Sequence, residues 1–198
     1  MKIENVEVFG FKAAIHAMRN PMNSWDRSDT LYANAGILGE KDAELALKLI
    51  NAGTEHCKFL RLIHIQMFIT IPRYIWQELD TYKVSTTRVS CSTMHKLGSV
   101  DLTEDDFQDG FVLSETLKFL NDLGREYRIK KDVNLLRKMK LILPENFLQA
   151  ADYDINYQNA INMYHQRKNH RMSEWSGENG ICKMIETLPM MSEWLNVK

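Results

Sequence analysis

Asn156, Asn159, Arg167, His170 and Glu174 recur at intervals that put them in one narrow sector of a helix turning about 100° per residue. A solvated helical face favours Lys and Glu, whose charged heads tolerate water at little cost. This stripe instead offers amide donors and acceptors plus a planar guanidinium, groups suited to reading a base edge or gripping a phosphate. The plain alternative is an exposed polar face with a fortuitous asparagine content. A second concentration of chemistry runs from Asp80 to Lys96, dense in Ser and Thr and carrying Lys83 and Arg88. Such a segment can wrap a phosphate or a carboxylate with short donors, or be an ordinary Ser/Thr-rich surface loop. It has too few glycines for a phosphate-cradling P-loop, and the GxxxxGK pattern does not occur. Cys91 and His95 stand four apart, a thiol–imidazole spacing that lacks a visible third residue to orient it. His64, flanked by Ile63 and Ile65, reads either as a satisfied core histidine or as a third place with chemistry.

Other chemistries find no matching residues. His165 and His170 would face different ways on a helix, and no HxxxH or HxxE pair has a sensible third ligand, so no metal site is expected. Neither GxSxG nor a dinucleotide fingerprint occurs.

The elements that must position these groups follow from composition and periodicity. An apolar content of 44% over 198 residues excludes a disordered chain and suffices for one domain, residues 1–198, without staples. Lys and Arg (25) nearly balance Asp and Glu (26), with no long run of one sign, which argues against a groove for a nucleic-acid polymer. A single nucleotide needs only two or three cations and stays open. Three cysteines without paired spacing suit a reducing compartment, and the first residues lack a signal peptide's apolar stretch, so a cytoplasmic protein is expected. The longest apolar segment, around Leu60 to Ile71, is too interrupted by polar residues to span a membrane.

Loose alternation predicts a strand over Ile3 to Phe11, followed by a short helix from Ala13 to Arg19. Helical spacing over Glu40 to Ala52 stops at Gly53. Ile65 to Ile71 alternate as a strand, ended by Pro72, which suits the first position of a helix bearing Ile75, Trp76, Leu79 and Tyr82. Thr103 with Asp106 predicts a capping box opening a helix toward Leu123, with Gly110 inside it. Asp132 caps a helix closed before Pro144. One long helix is predicted from Tyr153 to Glu174, with a short one before Lys198. The fold class is α+β, a helix-rich single domain with a mixed or antiparallel sheet.

Leu143-Pro144, Asn156, Asn162 and Arg167 resemble, in type and spacing, the C-terminal block of the flavin-dependent thymidylate synthases. His64 matches the histidine before that family's aromatic-rich strand, which here includes Phe68 and Ile69. Pro72 opens the helix that leads to the family's Arg-His-Arg hallmark, where this chain has Thr81, Tyr82 and Lys83. Thr86 and Cys91 fall on the serines that follow, Glu78 on a nucleotide-contacting glutamine, and Thr93 on an arginine. Lys140 and Gln158 stand where arginines are common, and Ala13 to Arg19 is similar to an N-terminal Ala-Arg element. The pattern looks like a divergent, phage-type branch.

The resemblance implies FAD as cofactor, with NADPH and methylenetetrahydrofolate as co-substrates. It implies a pyrimidine deoxynucleotide as substrate, dUMP to dTMP or a variant, in a homotetramer with shared sites. Glu78, Cys91, Lys140 and Arg167 would bind the nucleotide, and His64, Tyr82, Lys83, Asn156 and Asn162 the flavin. No proton-transfer residue is assigned, because the family's usual donors are substituted. Lys83 and Arg88 can replace the hallmark's charge but not its planar geometry. The competing reading is a non-catalytic protein that kept the fold and sequesters a nucleotide.

Overall fold

The computed structural model of the protein describes residues 1–31 and 37–196. Strands β1 (Lys2–Phe9), β2 (His64–Pro72), β3 (Thr87–Ser90) and β4 (Leu148–Asn156) form an antiparallel sheet in the order β1-β2-β4-β3. In β2, Ile65, Met67, Ile69 and Ile71 are buried, while His64, Gln66, Phe68 and Thr70 occupy the more open face. Ala151, Tyr153 and Ile155 repeat the buried pattern in β4. The Arg73 amide donates to Phe147 at one end of this strand pair, and the Tyr157 amide donates to Ile63 at the other, as antiparallel register requires. Edge strand β1 is largely exposed and contains Asn5 at a φ of 52°.

The helices are α1 (Phe11–Arg19), α2 (Glu40–Asn51), α3 (Arg73–Leu79), α4 (Thr93–Lys96) and α5 (Ser114–Lys130). They continue with α6 (Val133–Ile142), α7 (Tyr157–Arg167), α8 (Ser173–Ser176), α9 (Ile181–Glu186) and α10 (Met191–Trp194). The chain divides into two compact units. One comprises Met1–Glu4, Phe68–Thr81 and Arg88–Asp152; the other holds the rest of the described residues.

In the first unit, α5 and α6 pack around Leu97, Leu102, Phe107, Leu120, Leu123, Leu136 and Met139. Fully burying each such side chain is worth about 1.5–3 kcal/mol. Asp132 caps α6 as expected, its side chain accepting from the Asn134 amide at 2.9 Å. The Thr103–Asp106 capping box is also present, but it opens only a 3-10 turn, Glu104–Asp106. Asp109 and Gly110 then adopt left-handed backbone (φ 57° and 66°), so no helix can pass through them and α5 begins at Ser114.

In the second unit, Phe11, Phe59, Tyr157 and Trp194 form an edge-to-face aromatic cluster, with ring centroids 5.5–6.2 Å apart. Gly10 ends β1 two residues earlier than the alternation predicted and starts α1. Its φ is 98°, and a Cβ there would stand 1.9 Å from the Leu62 carbonyl oxygen, so only glycine fits. Between α1 and α2 lies a buried ion pair. Arg19 donates to Asp42 Oδ1 at 2.6 Å, and Asp42 Oδ2 accepts from Ser28 Oγ at 2.7 Å and Thr30 Oγ1 at 2.6 Å.

The long helix predicted from Tyr153 to Glu174 is not formed. Tyr153 to Asn156 finish β4, α7 runs only from Tyr157 to Arg167, and Glu174 lies in the separate α8. Asn156 is the physical reason for the break at the start, because its extended backbone and accepting side chain make it an N-cap. Pro72 is likewise the N-cap of α3 rather than its first residue, and α3 ends at Leu79, short of Tyr82.

Candidate functional site

Helix α3 presents Arg73, Trp76 and Gln77 to a pocket of about 260 Å³ in the first unit, completed by Arg88, Thr93, Lys140 and Gln149. Trp76 is fixed by its Nε1–H, which donates to the Gln149 carbonyl at 2.8 Å. The Arg88 guanidinium lies 4.6 Å from the Trp76 ring centroid and donates to both oxygens of Asp80, at 3.0 and 2.9 Å. Arg73 is held more loosely, 3.5 Å from Glu145, while Gln77 donates to the other Glu145 oxygen at 3.0 Å. Lys140 is exposed and has no partner among the described residues. Arg88 is thus neutralised, Arg73 partly so, and the Lys140 ammonium is uncommitted, an arrangement suited to a small ligand with an anionic end.

A neighbouring, more apolar pocket of about 270 Å³ in the same unit shares Thr93 and Gln149 with the first and includes Cys91, Leu97, Leu102 and Phe147. Cys91 is anchored by its backbone. Its amide donates to Ala150 at 2.8 Å, and its carbonyl accepts from Gln149 Nε2 at 2.9 Å. Glu78 is half-buried on α3, and the residue before it, Gln77, is the one that lines the cationic pocket.

In the second unit, the Asn156 and Asn159 side chains both donate to the Val84 carbonyl, at 2.8 and 2.6 Å, and Asn156 Oδ1 caps the Asn159 amide at 2.9 Å. Their amides therefore fix the segment after Tyr82 to the start of α7. The Tyr82 hydroxyl donates to Gln166 at 2.9 Å and accepts from Arg167 Nε at 3.2 Å, and the Arg167 guanidinium lies 4.9 Å from the Trp175 ring centroid. His64 Nδ1 pairs with Asp154 Oδ1 at 2.7 Å, and its ring stacks on Phe9 with centroids 5.7 Å apart. Lys83 and Asn162 are exposed.

The structure thus gathers Tyr82 with Arg167 and Asn156 with Asn159 in one unit, and Lys140 with Thr93 in the other. Arg73, Trp76, Gln77 and Gln149 escaped the sequence reading. The available signal was Arg73 and Gln77 one helical turn apart, directly after the Pro72 break.

No protein-family model matches the chain, and no curated protein matches it in sequence. Solved structures do match in three dimensions. A flavin-dependent thymidylate synthase ThyX from Helicobacter pylori, complexed with FAD and dUMP, is 18% identical with a TM-score of 0.70, covering 98% of this chain and 97% of that one. A second structure of the H. pylori protein with FAD and dUMP gives 19% and 0.71 over the same shares. The fold is that of the flavin-dependent thymidylate synthases. A UMP/dUMP methylase PolB from Streptomyces cacaoi, bound with 5-Br dUMP, has the same thymidylate synthase fold at 15% identity and a TM-score of 0.65, covering 98% of this chain and 93% of that one. Within that fold, Tyr82 of this chain is bonded to Gln166 and Arg167 of α7.

The thiols provide a direct check on the geometry. Burial, with the Glu186 charge adding to it, pushes the Cys182 thiol up to about 11 against the opposing charge of Arg167. Burial likewise raises Cys57, while Cys91 is exposed. Since the thiolate is the reactive form, a chromogenic disulfide reagent at neutral pH is expected to titrate one thiol promptly in native protein and three after denaturation. Prompt native reaction of two or more would contradict the burial of Cys57 or of Cys182 on α9.

Proposed function

We propose that this chain is a flavin-dependent enzyme that modifies C5 of a pyrimidine deoxynucleotide, converting dUMP to dTMP or carrying out a close variant. The observation that carries the reading is the cationic pocket with an uncommitted Lys140 beside Arg73 and two side-chain amides, set in a fold whose Helicobacter pylori examples hold FAD and dUMP. Lys140 and Arg73 would hold the nucleotide's phosphate, with Gln77 and Gln149 as neutral hydrogen-bonding groups. Cys91 would border the base, and Glu78, on the same helix as Arg73 and Gln77, would complete the substrate set in this unit.

The residues proposed for FAD have chemistry suited to it. His64 keeps one ring nitrogen clear of Asp154, and Lys83 and Asn162 are exposed, supplying an ammonium and an amide to a flavin's phosphates and ring carbonyls. Tyr82 and Asn156 would support that set from the segment they fix. When bound, the flavin supplies the reaction's redox capacity; the chain's own residues bind and orient. NADPH and methylenetetrahydrofolate complete the proposed reaction as co-substrates, in a cytoplasmic homotetramer.

A second reading has one specific observation in its favour. Tyr82 and Arg167 are bonded to each other where a flavin enzyme would keep groups for its ligands, which suits a nucleotide-sequestering protein. The absorbance spectrum of freshly purified protein, followed by melting with dUMP in flavin-loaded and flavin-free samples, separates the two. Flavin absorbance and stabilisation by dUMP only in the loaded sample support the enzyme. Colourless protein that takes up no FAD yet is stabilised by dUMP overturns it in favour of sequestration.

A further inference from the structure

Strands β2 and β4 place an imidazole, a carboxylate and an amide on one face of the sheet, and the hydrogen bonds among them determine what the imidazole offers outward. Asp154 Oδ1 stands 2.7 Å from His64 Nδ1, and Asp154 Oδ2 accepts from Gln66 Nε2 at 3.0 Å. A carboxylate only accepts, so Nδ1 must carry the hydrogen of that bond. Phe9 stacks on one face of the ring, with the two planes 14° apart, and restricts its rotation. In the neutral imidazole, Nε2 is then left as a lone-pair acceptor, and it has no partner among the described residues. The Gln66 bond matters as well, because it holds the second oxygen and stops the carboxylate from turning away.

We infer that Asp154 is a positioning residue that locks His64 in its Nδ1–H tautomer, so that Nε2 accepts a hydrogen bond from an N–H of the bound ligand. The inference rests on the flavin reading above for the ligand's identity. A flavin offers such a hydrogen on its imide, and a carbonyl-only ligand would not satisfy the site. The local geometry itself does not depend on FAD. Carboxylate-oriented histidines gain both a fixed tautomer and a fixed ring angle in this way.

The tautomer is read directly by nitrogen-15 NMR of the imidazole in ligand-free protein. His64 is expected as Nδ1–H in the wild type. Asp154→Asn can place its amide N–H against Nδ1 and drive the ring to Nε2–H, which turns the acceptor into a donor. FAD affinity, measured by flavin fluorescence, is expected to fall about tenfold in Asp154→Asn, the worth of one mismatched buried hydrogen bond. Asp154→Glu, with a longer reach but the same accepting chemistry, should restore the wild-type tautomer and part of the affinity. Circular dichroism and melting on the same samples identify any variant that has not folded, and the wild-type spectrum alone still tests the claim. A hydrogen on Nε2 in the wild type, in the Nε2–H tautomer or in the imidazolium, overturns the inference, as does FAD binding unchanged by Asp154→Asn. A wild type that shows the Nδ1–H tautomer but binds no FAD overturns the flavin reading instead and with it the ligand assigned to Nε2.

Discussion

Replacing Asp42 with alanine is expected to cost the fold about 3–5 kcal/mol, seen as a large drop in the urea midpoint at neutral pH. Asp42 is fully buried and Arg19 is 5% exposed, so the substitution strands a guanidinium without its counter-charge. It also leaves Ser28 Oγ and the Thr30 amide and hydroxyl without their acceptor. A double change to apolar residues of similar volume, Arg19→Met with Asp42→Leu, should recover much of that loss, because most of the penalty is an uncompensated charge rather than a missing contact. A single-mutant loss below about 1 kcal/mol would mean that the pair is hydrated like a surface pair.

The same site has a defined pH signature. Burial alone would raise the Asp42 carboxyl, but hydrogen bonds from Thr30, Ser28 and Arg19, together with the Arg19 charge, outweigh it and hold the group below its ordinary range. A depressed folded-state value means that the unfolded chain binds the proton more readily. The contribution is therefore complete above the unfolded carboxylate range and drains away as the pH falls through the folded value. Stability of the wild type should decline more steeply on acidification than that of Asp42→Asn, which has no proton to gain there. Parallel curves for the two would count against this account.

Lys140→Ala is expected to weaken dUMP binding about ten- to a hundredfold, the range for one charge-assisted hydrogen bond to phosphate. Calorimetric titration at low and high salt is the measurement, and the salt dependence should shrink with the charge removed. Lys140 is exposed and has no partner among the described residues, so the variant should melt within a degree or two of wild type, as surface changes usually do. Lys140→Arg should retain binding, since the guanidinium matches phosphate geometry at least as well. Arg88→Ala is the contrasting case. Its charge is already answered by Asp80, and losing it should disturb Trp76 packing more than it changes salt dependence. Unchanged affinity in Lys140→Ala would remove the pocket from the nucleotide reading.

The sequence announced some of this clearly. Alternation from Ile65 to Ile71 is the interior face of β2, the Asp132 cap opens α6, and Gly53 follows α2 at a φ of 102°. The C-terminal third was harder to read because its residues satisfy two periods at once. Ala151 and Ile155 are spaced like a helical stripe, yet with Tyr153 they line the inner face of β4, and Asn156 turns the chain between the two regimes. Arg167, His170 and Glu174 therefore share no helix, although Arg167 and His170 both meet Trp175. The capping-box motif at Thr103 was locally real and globally misleading, because nothing in the motif encodes how many turns follow. The cationic pocket could not be read as a unit, since Arg73, Arg88, Lys140 and Gln149 come from four elements brought together only by the sheet and α6.

The outer border of the sheet at β1 leaves main-chain donors and acceptors open to water, which in many proteins seeds unwanted zippering between molecules. Asn5 interrupts that border, because its left-handed backbone breaks the regular pleat midway. A passing strand therefore meets two short runs, Lys2 to Glu4 and Val6 to Phe9, instead of eight residues in step. One turned residue thus makes this border a poorer template for edge-to-edge pairing.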